Sequence, residues 1–370
     1  MTSGLIVLTI CVSGCVYAFE VEIRDWLQTY RHVEARDAPM LPPSELLSIA
    51  QRQLPGETAS RVIYEGPNRA AYVQFGNKKT RYYKLVFLDP YDGVVLKTID
   101  MNYEFFHIVF NIHYRLFLPP DIGTEIVDYT TLVFVVILAS GLVNWWPRSW
   151  GGIGKRLAIQ WRARWRRRNF DLHGVFGFYV WPLVLIIALT GLVWGFEWFN
   201  DTVYWIASGG MHRPPVVSPV SNKATASYRP LQQSIDEAWN RLVNRHPNAE
   251  FMMILLPSTV NGSIRCIVNP DRRTYYKTDH YYIDQYSLVE MPVAHSWGMY
   301  RDANTAAMVR RMNYDIHVGA IGGLAGKLLV FATTLIAASL PITGFLIWWG
   351  KRNRRGVEHL HCGKQKASLL

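Results

Sequence analysis

Three histidines are flanked by long apolar runs: His113 in "FNIHYRL", His173 in "FDLHGVFG" and His317 in "YDIHVGA". An imidazole in that setting is a candidate axial ligand for haem iron. A haem devoted to electron transfer takes two such ligands, which leaves no coordination position open for other chemistry. The ligands should therefore come in pairs at one membrane depth. His113 lies 28 residues before Gly141 and His317 lies 27 before Gly344. Both precede a break marked by Pro or Gly ("LPPDIG", "GAIGGLAG") that turns the chain into its next apolar run. They read as the same histidine in two copies of one unit, placed to face each other across a single haem. The chain has no CxxCH motif, so the haem would be non-covalent, of b type.

His173 opens another apolar run, 18 residues before Gly191, and the same count back from Gly14 falls upstream of Met1. The expectation is therefore twofold. Either the true start lies upstream, with a longer first span carrying a partner for His173, or the second haem, on the cytoplasmic side, is lacking. His107 is six residues from His113, about 240° round a helix, and is held in reserve. His295, in "VAHSWGMYR", lies in the second external segment and could touch a substrate, the weaker of its two readings. His359, His361 and Cys362, in "HLHCG", sit in a polar tail, where plain solvation is the first reading and a weak metal contact the second.

The elements that must position these residues are membrane helices. Of 370 residues, 50% are hydrophobic and 14% aromatic, with 14 Trp among them. Three apolar runs, 129–146, 174–196 and 328–349, can each cross a hydrocarbon core of about 30 Å. A fourth, 4–19, is shorter. The expected organisation is spans at 4–19, 126–147, 173–198 and 326–350, external segments at 20–125 and 199–325, a basic loop at 148–172 and a tail at 351–370.

Orientation follows from the basic residues. Arg148, Lys155, Arg156, Arg162, Arg164, Arg166, Arg167 and Arg168 fall in the loop, and Lys351, Arg352, Arg354 and Arg355 in the tail. The positive-inside rule places both in the cytoplasm, with both termini. The net charge of +11 is thus mostly topology, and "RARWRRR" is no nucleic-acid patch. Cys11, Cys15, Cys266 and Cys362 make no disulfide framework. "VSGC" resembles a lipoprotein cleavage site, but no positive charge precedes it, and the internal repeat explains the same residues better.

That repeat is explicit. "SGCVYAFEV" (13–21) matches "TGLVWGFEW" (190–198), aligning Gly14 with Gly191, Phe19 with Phe196 and Glu20 with Glu197; "SGLVNWWPR" (140–148) matches "TGFLIWWGK" (343–351). The dipeptides Ser140–Gly141, Thr190–Gly191 and Thr343–Gly344 admit two explanations: close helix packing, or clearance for a flat cofactor. Trp145, Trp146, Trp348 and Trp349 suit an aromatic belt. Each external segment combines an amphipathic helix ("SELLSIAQRQL", "LQQSIDEAWNRLVNR") with strands, and Asp89 and Tyr91 of "DPYDG" correspond to Asp284 and Tyr286 as structural turn residues. Tyr275, Tyr276, Tyr281 and Tyr282 could offer a docking surface, with strand packing the competing account. The fold class is membrane α-helical: a four-helix transmembrane bundle from two repeats, with two small α+β external domains.

The segments "LDPYDGVVL", "IHYRLFL", "DLHGVFGFYVWPLVLIIALTG" and "IHVGAIGGLAGKLLVFATTLIAASLPITGFLIWWGK" resemble the PepSY-associated transmembrane helix family over nearly the whole chain. The resemblance implies PepSY-like periplasmic domains and a place in the bacterial inner membrane. It further implies a haem protein that reduces ferric siderophores in the periplasm, with His113, His173 and His317 on the family's histidine-bearing motifs. The family's N-terminal histidine has no counterpart here. Some relatives carry a fused flavin reductase domain; its absence implies a separate cytoplasmic or membrane electron donor. The competing expectation is a haem-free PepSY anchor that binds a protease or transporter.

Overall fold

The computed structural model describes residues 2–76, 82–147, 153–223 and 229–367, the side chains of Thr2, Lys155 and 353–367 excepted. Arg148 of the basic loop, and the side chains of Arg354, Arg355, His359, His361 and Cys362, therefore lie outside what is described.

The chain opens with α1 (Thr2–Tyr17) and α2 (Glu20–Leu27), bent by 47° at the break between them. Then come α3 (Pro43–Gln53) and strands β1 (Ala59–Tyr64), β2 (Ala71–Gly76), β3 (Tyr83–Leu88) and β4 (Val95–Asp100). A short helix α4 (Phe105–Arg115) leads into the long α5 (Pro120–Trp145). After a single turn, α6 (Ile153–Arg156), the second half follows: α7 (Trp165–Gly195), α8 (Glu197–Ser208), α9 (Leu231–Arg245), β5 (Phe251–Leu255), β6 (Ile264–Asn269), β7 (Asp279–Ile283), α10 (Thr305–His317) and α11 (Gly323–Ala367).

Among the described residues three helices are long and apolar enough to cross a membrane, Pro120–Trp145, Trp165–Gly195 and Ala320–Arg352; the bent pair α1 and α2 makes a fourth if taken as one span. α7 packs against α5 and α11, and α1 against α11, α4 and α5. Leu138, Val180, Val184 and Ala337 meet at the contact, while Val133, Val136, Ile186, Leu328 and Leu335 face outward. Apolar side chains on the outer surface, with backbone hydrogen bonds closed inside each helix, are what a lipid environment requires. The helices overrun the expected boundaries. α7 begins within the basic loop, and α11 continues through the segment assigned to the tail. Lys and Arg are good helix formers, so the end of the apolar run does not end the helix.

The two segments expected as separate external domains join into one antiparallel sheet of order β4-β3-β2-β1-β5-β6-β7. The joint is β1 against β5, with Val62 opposite Ile254 and Ile63 opposite Met253. α3 and α9 pack on one face of the sheet, burying Leu46, Ala50, Ile235, Ala238, Trp239 and Leu242 against strand residues that include Val73, Phe75, Ile254 and Ile264. Asp236 ties the two helices, accepting from Ser44 N at 2.9 Å and Ser44 Oγ at 2.5 Å. The two Asp-Tyr turns are built alike. Asp89 accepts from Tyr91 N and Asp284 from Tyr286 N, each at 2.8 Å, and each Tyr hydroxyl donates to a carbonyl, of Pro67 and Val260 respectively.

α2 docks the sheet on the helices. Asp25 is bridged by Arg69 from the first half and Arg272 from the second. Arg24 pairs with Glu20 and, at 2.6 Å, with Glu104. Glu104 caps α4 by accepting from His107 N at 2.8 Å.

Candidate functional site

The histidine-bearing helices α4 and α10 end in tight reversals, and these reversals set where the rings lie. After α4, Leu116 and Phe117 adopt φ of 55° and 58°, a left-handed conformation unusual for side chains of this bulk. The chain then passes so close that a Cβ on Gly123 would overlap the Arg115 carbonyl. After α10, Gly319 (φ 79°) and Gly326 make the corresponding close approach to each other. Both reversals fold a short helix back along the start of the following span.

The result brings His113 and His317 together. Their ring centroids lie 6.2 Å apart with planes inclined at 67°. Each ring is anchored through one nitrogen to a helix of its own half. His113 Nδ1 is 2.8 Å from the Ile10 carbonyl and 3.4 Å from Ser13 Oγ. His317 Nδ1 is 3.1 Å from the Ile187 carbonyl and 2.9 Å from Thr190 Oγ1. A carbonyl can only accept, so Nδ1 carries the proton in both rings and the Nε2 lone pair is left available. Among the described residues neither Nε2 has a hydrogen-bond partner, and each ring keeps intermediate exposure. Burial lowers the pKa of His113 and takes that of His317 down to about 4, His113 itself adding to the second shift; the bonded carbonyls oppose it only in part. Both imidazoles are thus neutral bases at neutral pH.

His173 is elsewhere. It lies on the same helix as Thr190, 17 residues earlier, hence about 25 Å along α7. Its Nδ1 is 2.9 Å from Thr343 Oγ1, whose own proton is committed to the Ser339 or Leu340 carbonyl at 3.1 Å. The hydroxyl therefore accepts, and the tautomer is again Nδ1–H. Beside His173 lies a mainly apolar cavity of about 470 Å³, with Gly141, Trp145, Phe178 and Trp181 in its wall; His173 is its only histidine among the described residues.

These contacts give the Ser/Thr-Gly dipeptides an account that neither sequence explanation contained. A Cβ on Gly14 would stand 3.0 Å from His113 Cε1, on Gly191 3.8 Å from His317 Cε1, and on Gly344 3.3 Å from His173 Cε1. The glycine makes room for an imidazole from another helix, and the preceding hydroxyl receives its Nδ1–H. Ser140–Gly141, the fourth such pair, meets nothing within 4 Å of a Cβ at Gly141. The dipeptide was the visible signal; its partner could not be named without the fold.

Of the other candidates, His107 stacks edge-on with Tyr83 at 5.4 Å. Tyr281 and Tyr282 are buried in β7, as strand packing requires, whereas Tyr275 is half exposed. An aromatic run reaches Tyr275 from His317 through Trp194 (5.2 Å) and Tyr314 (6.2 Å, then 4.7 Å). Trp194 has no place among the residues singled out in the sequence.

The PepSY-associated TM region family model matches residues 1–351, and the chain belongs to that family. It is a multi-pass membrane protein. No curated protein matches it.

Proposed function

We propose that the chain is an inner-membrane electron conduit that holds b-type haem between His113 and His317 and reduces periplasmic ferric-siderophore iron with electrons from the cytoplasmic side. The observation that carries this reading is the paired imidazoles, one from each half. Two imidazole–metal bonds of about 2 Å, with about 1 Å from ring centre to nitrogen on each side, give centroids about 6 Å apart. The separation here is 6.2 Å.

Haem, when bound, supplies one-electron redox chemistry. The chain's own residues do the rest. His113 and His317 present neutral Nε2 lone pairs. Ile10, Ser13, Ile187 and Thr190 fix both rings from behind, as partners of ligating histidines characteristically do. Trp194, Tyr314 and Tyr275 line the way from His317 to the surface. His173, with Nδ1 tied to Thr343 and an apolar cavity beside it, offers one ligand for a second haem near the side where electrons would enter, given the positive-inside orientation. Ferric siderophore is the substrate, and a separate cytoplasmic or membrane protein the donor.

Purified protein should be red, with a Soret band and a reduced α-band that sharpens on adding dithionite. His113→Ala and His317→Ala should each remove one haem and abolish reduction of a ferric siderophore. Colourless protein from haem-replete cells, or spectra and activity retained in both variants, defeats the proposal and leaves a haem-free anchor.

A further inference from the structure

A second cavity, of about 380 Å³, lies in the sheet domain, between β7, the loop 290–299 and the first turn of α10. Polar side chains line it that are buried yet unsatisfied. Tyr282 is 2% exposed, Ser296 6% and His295 7%, and among the described residues Tyr282 Oη, Ser296 Oγ and His295 Nε2 have no hydrogen-bond partner. Leaving such groups unpaired is unfavourable, so three on one cavity wall call for an explanation.

All three can donate. Trp297 N donates to His295 Nδ1 at 3.1 Å, so the neutral ring carries its proton on Nε2. Burial lowers the His295 pKa, and Arg265, Arg310 and Arg311 lower it further, so the ring stays neutral; the opposing Val217 carbonyl can meet only Nε2–H, so that proton already faces one weak acceptor.

The surroundings are cationic. Arg311, 1% exposed, gives its protons to the carbonyls of Ser296 (2.8 Å), Gly298 (2.6 Å), Thr278 (2.6 Å) and Tyr276 (3.3 Å), and to no carboxylate. Arg265 lies 5.3 Å from the Tyr282 ring centre and bonds His280 Nδ1 at 2.7 Å, while its Nε and Arg310 Nη1 are also unpartnered among the described residues. Two carboxylates stand on the cavity wall at its solvent side, Glu290, paired with Arg245 at 2.7 Å, and the largely exposed Asp302, 3.6 Å from Arg301, while Asp279 accepts from Tyr300 N at 2.6 Å. Met291, Pro292, Val293 and Met299 supply apolar wall.

We propose that this cavity is a binding site for a small organic carboxylate. The carboxylate accepts from Tyr282 Oη–H and Ser296 Oγ–H, with His295 Nε2–H shared between it and the Val217 carbonyl, in the field of buried Arg311 and half-buried Arg265 and Arg310, and the carbon skeleton lies on the Met and Pro side. Neutral donors beside apolar wall suit a carbon-borne anion better than inorganic phosphate, for which Lys or several Arg would point directly inward. The volume falls within the range of small-molecule sites. The assignment is independent of haem.

Calorimetric titration of the full-length protein in detergent with benzoate and with succinate tests it, with inorganic phosphate as comparison. One carboxylate should bind saturably at one site, and Tyr282→Phe and Ser296→Ala should each weaken it by roughly tenfold or more. Because these hydroxyls have no internal partner, both variants should melt no lower than the parent in the absence of ligand. The proposal is overturned if neither carboxylate saturates below about 10 mM, if both variants bind like the parent, or if phosphate binds as tightly. Lower melting of both unliganded variants overturns it too, since the hydroxyls would then serve the fold.

Discussion

A Cβ on Gly14 would stand 3.0 Å from Cε1 and 3.2 Å from Nδ1 of His113, so the first helix gives up a side chain at the place where a ring from the fourth one rests. Gly141 of α5, which also follows a hydroxyl residue and which the repeat aligns with Gly344, has open space instead. Gly14→Ala should therefore destabilise the protein by about 1–3 kcal/mol through overpacking. Gly141→Ala should stabilise it by up to about 1 kcal/mol through helix propensity. Thermal melts of the two variants decide; equal effects would mean that Gly14 makes no room for the ring.

Thr190 and Thr343 hold His317 and His173 by the same Nδ1 contact, both at 2.9 Å. Thr190→Val leaves His317 only the Ile187 carbonyl. It should weaken haem retention at the His113–His317 pair by about 10- to 100-fold, leaving any signal that depends on His173 unchanged. Thr343→Val should do the converse. Haem loss to apomyoglobin, followed optically, separates the two; identical behaviour of both variants would contradict the assignment of the sites.

His280 makes the sheet domain sensitive to acid. Its Nδ1 faces Arg265, and its pKa falls from 6.5 to about 3 through burial, with Arg265, Arg311 and His295 adding to the shift. The unfolded chain thus takes up the proton first. The stability involved is complete above about pH 6.5 and lost progressively as pH falls toward 3, at up to about 1.4 kcal/mol per unit. Denaturant midpoints should drop over that window, and His280→Asn should flatten the slope. A parent profile level from pH 7 to about 4 would show that His280 is protonated at no such cost.

Asp25 stands between Arg69 and Arg272, with 24% of its side chain exposed against 5% and 19% for theirs. Asp25→Ala leaves two largely buried guanidinium groups without their shared anion. It should cost about 2–4 kcal/mol, somewhat below a fully buried pair because water reaches the site. Faster proteolysis between the sheet and α2 would accompany the loss. Stability within about 0.5 kcal/mol of the parent would show that α2 does not dock the sheet.

The apolar runs, the paired phrases and the spacing of His113 and His317 were legible in the sequence because hydrophobicity and repetition are local in the chain. The joining of the external segments was not. Val62 opposite Ile254 is a contact between strands nearly two hundred residues apart, and either strand alone reads as part of a self-sufficient module. The His295 cavity was missed in the same way: "VAHSWGMYR" displays a histidine, but Tyr282 and Arg311 become its neighbours only when β7 and α10 converge. The expected helix ends failed for a different reason, since hydropathy marks where a lipid-facing run stops and not where the backbone stops being helical.

The β1–β5 joint has a consequence for biogenesis. Until Phe251–Leu255 has been synthesised, β1 presents an unpaired edge. For that interval the emerging N-terminal half is a half-built sheet that other chains can invade. Folding of this protein should therefore lean on holding factors, and two separately encoded halves should reassemble when co-expressed, because each carries the strand that closes the other.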